Sequence, residues 1–427
     1  MTPSLYNFGW WLLRPFLPVI LRCRVAAGKE IAVRLPERYG QTNDQDPIKP
    51  GAIWLHAVSV GETVAAIGLA QRLAAHDQTA HFLITTNTVT AAALVEQHRH
   101  FLPDVTLSHR FQPLDHPTFI DRFLHQYQPK MAVFMESDFW PNLIGRTAKA
   151  DIPVIFASAQ MSDAAFRRWR GRQAFARCIF ATPKMVLAVS QSQADQFNAL
   201  GTARDKLVVL GSLKTGAVMQ PDKALCKILK AAIGSRKVFL AASTHEGEDN
   251  SIIEAARRLG SGWLTIIAPR HPTRGAAIAA AADNAPQASK NKLPDKHNPV
   301  FIMDQLGKMG SLLSLADVVF LGASLVPKGG HNPLEPAAFG LPIITGPHIF
   351  KNDAEFNGLR AAGVVFDLTE DAEGDVTTTM VKLVKEQGLK TAQRQQIAHA
   401  ARSYARTAAT RVDIAAAKIY ALLDSQA

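Results

Sequence analysis

Two short stretches hold acids where chemistry can use them. One is His56-Ala-Val-Ser-Val-Gly-Glu62; the other is Gly329-Gly-His-Asn-Pro-Leu-Glu335-Pro-Ala. Each follows an apolar run and precedes helical spacing, so each reads as a strand-to-helix turn with a carboxylate in the first helical turn. Glu62 can then serve as a general base for a hydroxyl within hydrogen-bond reach, and the helix dipole would keep it ionised. Ser59-x-x-Glu62 also has capping-box spacing, which explains both residues without chemistry. A carboxylate has two oxygens, so both uses stay open. Glu335 sits behind paired glycines that let backbone approach a ligand closely. It can accept two hydrogen bonds from vicinal ribose hydroxyls, or simply complement the helix dipole.

Three further clusters follow apolar runs. Glu136-Ser-Asp-Phe-Trp-Pro-Asn142 places two acids together, which is costly if they are buried unpaired. Its structural alternative is helix capping by Asp138 and core packing by Trp140. Ser243-Thr-His-Glu246 repeats the capping-box spacing, and a helix start there would offer N–H groups and hydroxyls, notably of Ser243 and Thr244, to a phosphate. Pro269-Arg270-His271-Pro272 follows the next run, where Arg270 can pair with the same anion. Arg167, Arg168, Arg170 and Arg172, with Arg177 beyond, form a dense basic patch. That patch is either a solvated helix face or a site for a phosphorylated acceptor or anionic headgroups.

These residues need elements to position them. From residue 50 onward, short apolar runs alternate with helical spacing, the pattern of a parallel sheet with crossover helices. The expected strands are 52–57, 82–86, 131–135, 154–157 and 185–189, then 238–242, 264–268, 300–303, 318–321 and 342–345. The series restarts near 212, so the chain is an α/β protein of two Rossmann-like domains facing a cleft. The expected boundaries are 1–30 for an N-terminal membrane-associating segment, 31–212 for an acceptor domain and 213–427 for a nucleotide-sugar domain. The join is placed at 211–216, a loop at 283–298 and a long helix over 391–423. In open parallel sheets, ligands sit at the carboxyl ends of the strands, where these motifs lie.

Composition agrees. A chain of 427 residues exceeds one typical core. The net charge of +11 suits an acidic partner or serves only solubility. The three cysteines, Cys23, Cys178 and Cys226, lack zinc or disulfide spacing. The stretch from Phe8 to Leu21 is apolar and aromatic but interrupted by Arg14, too short for a spanning helix. Arg14, Arg22, Arg24, Lys29, Arg34 and Arg38 accompany it, which suits an anchor on an anionic leaflet. The alternative is an ordinary helix packed on its own domain. No Walker A loop, G-x-G-x-x-G or H-E-x-x-H is present, and no nucleic-acid module is visible.

The order of these motifs resembles the 3-deoxy-D-manno-octulosonic acid (Kdo) transferases of lipopolysaccharide synthesis. The matching pieces are His56 to Glu62, Trp140-Pro-Asn142, Ser243-Thr-His-Glu-Gly-Glu248, Pro269-Arg-His-Pro272 and Gly330 to Ala337. The resemblance implies a B-type glycosyltransferase with CMP-Kdo as donor and a lipid A precursor as acceptor. It implies work at the cytoplasmic face of the inner membrane. Inversion at the anomeric carbon is expected because no second carboxylate need act as a nucleophile. No metal or cofactor is expected, since Arg270 and helix N–H groups can neutralise a single phosphate, and no nucleic acid partner is expected. The resemblance implies Glu62 as catalytic base, Glu136 and Lys214 as transition-state supports, and Ser59 and Gly61 on the acceptor side. Pro269, Arg270, Gly307, Lys308, Met309, Gly330, Asn332, Pro333, Leu334 and Glu335 would form the donor pocket. The chain departs from the family's pattern at Ser137 and Asp138, at Ser212 and at Lys308-Met309. Two rivals stay open: another B-type enzyme using a UDP-sugar, transferase or epimerase, and a non-enzymatic protein binding anionic lipid.

Overall fold

Apolar runs flanked by helices build two all-parallel sheets. The computed structural model describes residues 2–41, 48–101, 105–214, 220–369, 375–388 and 392–425. The first sheet contains β1 (Ile53–His56), β2 (His81–Thr86), β3 (Thr106–Phe111), β4 (Met131–Met135), β5 (Val154–Ala159), β6 (Met185–Ala188) and β7 (Leu207–Val209). Their order is β3-β2-β1-β4-β5-β6-β7. The second contains β8 (Lys237–Thr244), β9 (Trp263–Pro269), β10 (Val300–Ile302), β11 (Val318–Leu321), β12 (Ile343–Thr345) and β13 (Val365–Asp367). Their order is β10-β9-β8-β11-β12-β13. Strand order reverses between β1 and β4 in one sheet and between β8 and β11 in the other. Loops diverge at such points, leaving room for a ligand at the carboxyl ends.

Side chains alternate through each sheet, as the pleat requires. Ile53 and Leu55 join a core layer with Ala66, Leu69 and Leu73 of the helix Val60–Ala74. Trp54 points to the opposite layer with Ile120, Phe123 and Phe156. In the second sheet Leu240 and Ala242 face one layer while Phe239 and Ala241 face the other. Both faces of both sheets are therefore covered, which is why the strands read as continuous apolar runs.

Three strands lie outside the expected set. β7 and β13 are short edge strands, each with an exposed last residue. β3 is polar because its buried side chains find partners: Ser108 bonds His81 at 3.0 Å, His109 bonds Thr86 at 2.9 Å, and Arg110 donates to the Tyr127 hydroxyl at 3.1 Å. Residues before the sheet complete this edge. The Glu37 carboxylate accepts the Phe111 N–H at 2.6 Å, and Arg34 donates to Glu37 and to the His109 carbonyl. Arg38 is buried against Glu30 and the Gln112 carbonyl. Arg24 also pairs with Glu30. Arg34 and Arg38 are thus internal ties, which corrects their expected role as headgroup contacts, whereas the Arg24 side chain stays 42% exposed.

The chain begins with the helices Pro3–Leu13 and Leu17–Ala26. Leu5, Phe8, Trp11, Leu12, Leu13, Val19 and Ile20 are exposed on them, and Phe16 on the turn between them. Among the described residues, no helix is long and apolar enough to cross a membrane.

Contacts divide the chain into residues 1–214 with 410–427 and residues 215–409. The helix Ala392–Asp424 starts in the second unit and ends in the first. Its last turns join the first unit because Val412, Ala415, Ala416 and Ile419 are buried in that core layer. The boundaries expected from the sequence, 213–427 for the second domain, differ here: residues 410–427 belong with the first unit. Of the join at 211–216, Thr215 and Gly216 lie outside the described residues.

Candidate functional site

In the first unit the helix Val60–Ala74 starts directly after β1. Ser59 is its N-cap, and the Ser59 hydroxyl oxygen accepts the Glu62 N–H at 3.3 Å. Glu62 answers with both oxygens, one accepting from the Ser59 hydroxyl at 3.0 Å, the other from the Val58 N–H at 2.7 Å. The capping box is real, yet each carboxylate oxygen keeps a second lone pair for a proton. Burial, then the charge of Glu136, pushes the Glu62 carboxyl above its ordinary value. This corrects the expectation that the dipole governs its ionisation: desolvation outweighs it and makes Glu62 a stronger base. Gly61, beside it, is exposed, and a Cβ there would meet only the Lys214 side chain at 3.8 Å.

Glu136 directly follows β4, in the left-handed region at φ 55°. A non-glycine residue there costs about 1–2 kcal/mol and persists where its surroundings dictate it. Those surroundings are Lys214, whose Nζ lies 2.7 and 3.0 Å from the two carboxylate oxygens, and Gln160, which donates at 3.1 Å. Ser158 is also left-handed, and its hydroxyl oxygen accepts the Leu213 N–H at 3.1 Å, holding the Lys214 segment against β5.

Asp138 does not cap the next helix. It bonds His56 Nε2 at 2.9 Å and accepts the Trp140 indole N–H at 2.7 Å. His56, buried at the end of β1, reaches Thr85 through its other nitrogen. Trp140 is the N-cap residue of Pro141–Lys149 but provides no side-chain cap. Asp115 does so instead, from the loop after β3. Sequence reasoning missed the roles of His56, Gln160 and Asp115; His56 stood first in the most informative motif, which was the one available signal. Arg167, Arg168, Arg170 and Arg172 are exposed on and after the helix Asp163–Arg170, which packs by Phe166 and Trp169.

In the second unit, β8 runs to Thr244 and the following helix is Asp249–Leu259. No helix starts at Ser243–Glu246, so that expected phosphate-capping turn is corrected. Ser243 is left-handed at φ 56° and packs beneath Gly322, where a Cβ would come within 2.5 Å of the Ser243 carbonyl oxygen. Thr244 is buried and its hydroxyl donates to Asp249. Pro269 pairs with Thr244 at the end of β9, and the Arg270 N–H donates to the Thr244 carbonyl at 3.0 Å, leaving the Arg270 side chain exposed.

Glu248 organises the neighbouring loops. It is fully buried and accepts four backbone N–H groups, from His245, Ala323, Ser324 and Leu325, at 2.8–3.0 Å. Ala323, left-handed at φ 64°, accepts the Gly330 N–H through its carbonyl at 2.8 Å. Gly330 has φ 71°, and a Cβ there would press on Phe356 and the His348 carbonyl. The Asn332 side chain accepts the Leu334 N–H at the start of Leu334–Ala338, with Pro333 at the N-cap and Glu335 in the first turn. Glu335 keeps some exposure, but desolvation pushes its carboxyl up to about 7 against the opposing pull of Arg270.

His245 and His331 stack with rings 14° apart and Nε2 atoms 3.3 Å apart. Burial, then surrounding cations including Arg270, pushes both down to about 4. The surroundings are therefore suited to an anion. Gly307, Lys308 and Met309 lie at the start of the helix Met309–Leu315, where Lys308 stands 3.7 Å from Asp222. Among the described residues, no group of three or more His, Cys, Asp or Glu could hold a metal ion. One Asp-x-Asp spacing, Asp44-Gln-Asp46, lies outside them.

Residues 33–217 match the family model described as 3-deoxy-D-manno-octulosonic-acid transferase (kdotransferase). The chain is 32% identical over 350 residues to the 3-deoxy-D-manno-octulosonic acid transferase of Haemophilus influenzae, covering 80% of this chain and 81% of that one. It is 32% identical over 360 residues to the enzyme of that name from Rickettsia bellii, covering 82% and 83%. Among solved structures, a glycosyltransferase from Rickettsia africae aligns with a TM-score of 0.59 at 13% identity, covering 88% of this chain and all of that one. UDP-GlcNAc 2-epimerase from Neisseria meningitidis aligns with a TM-score of 0.58 at 14% identity, covering 86% and 99%. These likenesses show a shared B-type glycosyltransferase fold, common to transferases and epimerases.

Proposed function

Because the chain belongs to the 3-deoxy-D-manno-octulosonic acid transferase family, we propose that it transfers Kdo from CMP-Kdo to a lipid A precursor in lipopolysaccharide synthesis. The observation that carries the mechanism is Glu62, raised in basicity, beside Glu136 and its partner Lys214. Glu62 removes the proton from a sugar hydroxyl of the acceptor. That oxygen forms a bond to the anomeric carbon of Kdo as the bond to CMP breaks, and the electron pair leaves with the phosphate. No second carboxylate acts as nucleophile, so the configuration inverts. Glu136 holds Lys214 so that its ammonium meets the negative charge of the reacting sugar acid or phosphate.

The second unit binds the donor. Arg270 and the His245–His331 pair receive its anionic groups, and Glu335 takes hydrogen bonds from ribose. Ser243, Pro269, Gly330, Asn332, Pro333 and Leu334 shape that pocket through their backbone. Thr244 supports it from beneath. Gly307, Lys308 and Met309 contribute at its margin.

The acceptor carries phosphates, which suit Arg167, Arg168, Arg170 and Arg172. The exposed apolar face of the first two helices suits residence on the cytoplasmic surface of the inner membrane. The deciding experiment supplies CMP-Kdo, generated in situ, and a tetraacylated bis-phosphorylated lipid A precursor, with products read by mass spectrometry. A mass increase of one or more Kdo units is expected. No increase, with CMP still bound, rejects the acceptor; no CMP binding rejects the donor as well.

A further inference from the structure

Asp115 joins three segments that are distant in sequence. It is buried on the loop between β3 and the helix Pro117–Tyr127. One carboxylate oxygen accepts the Leu143 N–H at 2.7 Å; the other accepts the Asn142 N–H at 3.1 Å and the Tyr6 hydroxyl at 2.7 Å. Its backbone carbonyl accepts from the Asn142 side chain at 2.6 Å. A helix start exposes its first N–H groups. In Pro141–Lys149 the first residue is proline, which has none, so Asn142 and Leu143 present the first donors. Asp115 takes both.

Tyr6 lies on the helix Pro3–Leu13, which buries no residue fully. The helix is held by the Tyr6–Asp115 bond, by the Tyr6 ring 5.7 Å from Phe175, and by the Trp11 ring 5.2 Å from His116. At the other end of the hub, the capped helix directly follows Glu136–Trp140. That loop carries Glu136, bonded to Lys214, and Asp138, bonded to His56. Its other end is β4, where the Glu136 N–H donates to the Ala157 carbonyl at 2.9 Å. The loop is thus held at both ends, and the helix start sets one of them.

We infer that Asp115 is a positioning residue for the transfer reaction, linking the seating of the apolar N-terminal helix to the loop that carries Glu136. It touches no reacting atom. Tyr6 completes the link, so displacement of the first helix loosens the cap and shifts Glu136 relative to Lys214. This inference rests on the role proposed above for Glu136.

The test uses full-length Tyr6→Phe and Asp115→Asn proteins with two readouts: amide hydrogen exchange across 136–149, and kcat with both KM values. Tyr6→Phe removes only a hydroxyl, so it decides the matter if Asp115→Asn fails to fold. Exchange at Asn142 and Leu143 is expected to rise about 10-fold in Tyr6→Phe while peptides of the second unit stay unchanged. Its kcat is expected to fall about 5-fold, and that of Asp115→Asn about 30-fold, with donor KM unchanged. Wild-type exchange at 142–143 overturns the inference. So does faster exchange there with wild-type kcat, because the cap would then be structural only. If the wild-type protein transfers no Kdo, the functional reading falls, and exchange in Tyr6→Phe still decides whether the hub exists.

Discussion

Lys214 Nζ stands 2.7 Å from a carboxylate oxygen of Glu136, a residue 78 positions earlier in the chain. The pair is largely buried, with side-chain exposures of 19% and 7%. Removing one partner leaves an unpaired charge, which costs far more than removing both. Lys214→Met is expected to lower kcat about 100-fold and to destabilise the first unit. Lys214→Met with Glu136→Gln should recover the stability without the activity. A double-mutant cycle of melting temperature and kcat checks this. Simple additivity in stability would refute the coupling.

Glu62→Ala should reduce turnover about 1,000-fold, the scale of a lost general base. CMP affinity should stay near wild type, and the melting temperature should fall by only about 2–4 °C, the loss of the capping bonds. A folded Glu62→Ala protein with normal turnover would remove Glu62 from the reaction.

The acid limb of the pH–rate profile follows from the same carboxylate. Glu62 works deprotonated, and its pKa is raised by burial and by Glu136. The rate should therefore fall as pH drops through a value above the ordinary glutamate range. Glu62→Gln should abolish that limb, leaving a slow rate flat across it. An unchanged acid limb in Glu62→Gln would assign it to another group.

Glu335 carries a stability cost with an unambiguous sign. Folding raises its carboxyl to about 7, so the native state holds the proton more tightly than the unfolded chain does. Stability from that proton is full below the unfolded value, about 4.3, and is lost as pH rises through the folded one. Glu335→Gln has no charge to bury. At about pH 8 it should melt ~3 °C above wild type, with the difference closing near about pH 4. CMP binding should weaken about 10-fold. Equal melting at both pH values would show that the burial cost is not expressed.

Reversing Arg167, Arg168, Arg170 and Arg172 to Glu should raise the acceptor KM about 10-fold at low salt and less at high salt, since exposed charges are screened. Donor KM should not move. An unchanged acceptor KM would return this patch to the solvent.

The sequence showed the strands that are covered on both faces. Met131–Met135 and Val318–Leu321 are found over the residues their apolar runs predict. It hid β3, because Ser108, His109 and Arg110 are polar residues made compatible with burial by partners such as His81, Thr86 and Tyr127. The same division holds for the site. Glu136 and Arg270 follow apolar runs directly and Glu62 stands in the first turn of the helix after one, so local pattern marks them. The clasp of Glu248 on residues 323–325 and that of Asp115 on residues 142–143 exist only after distant segments meet. Spacing cannot encode a partner 75 residues away. A single residue also hides which of several local uses it will take: helix capping is one reading of Asp138 from the sequence, and in the structure it holds His56 instead.

The last turns of Ala392–Asp424 fill a gap in the core of the first unit, with Ala415, Ala416 and Ile419 fully covered there. During synthesis every strand of the second sheet leaves the ribosome before this plug exists. The unit encoded first is thus the one completed last. Until residues beyond 409 emerge, the core layer that holds Val412, Ala415, Ala416 and Ile419 lacks part of its filling, Arg72 lacks its partner Asp413, and the nascent first unit must wait with an open seam. Expressing the two sheets as separate consecutive fragments would leave that seam unfilled, so dissecting this chain requires carrying the terminal segment with the opening half.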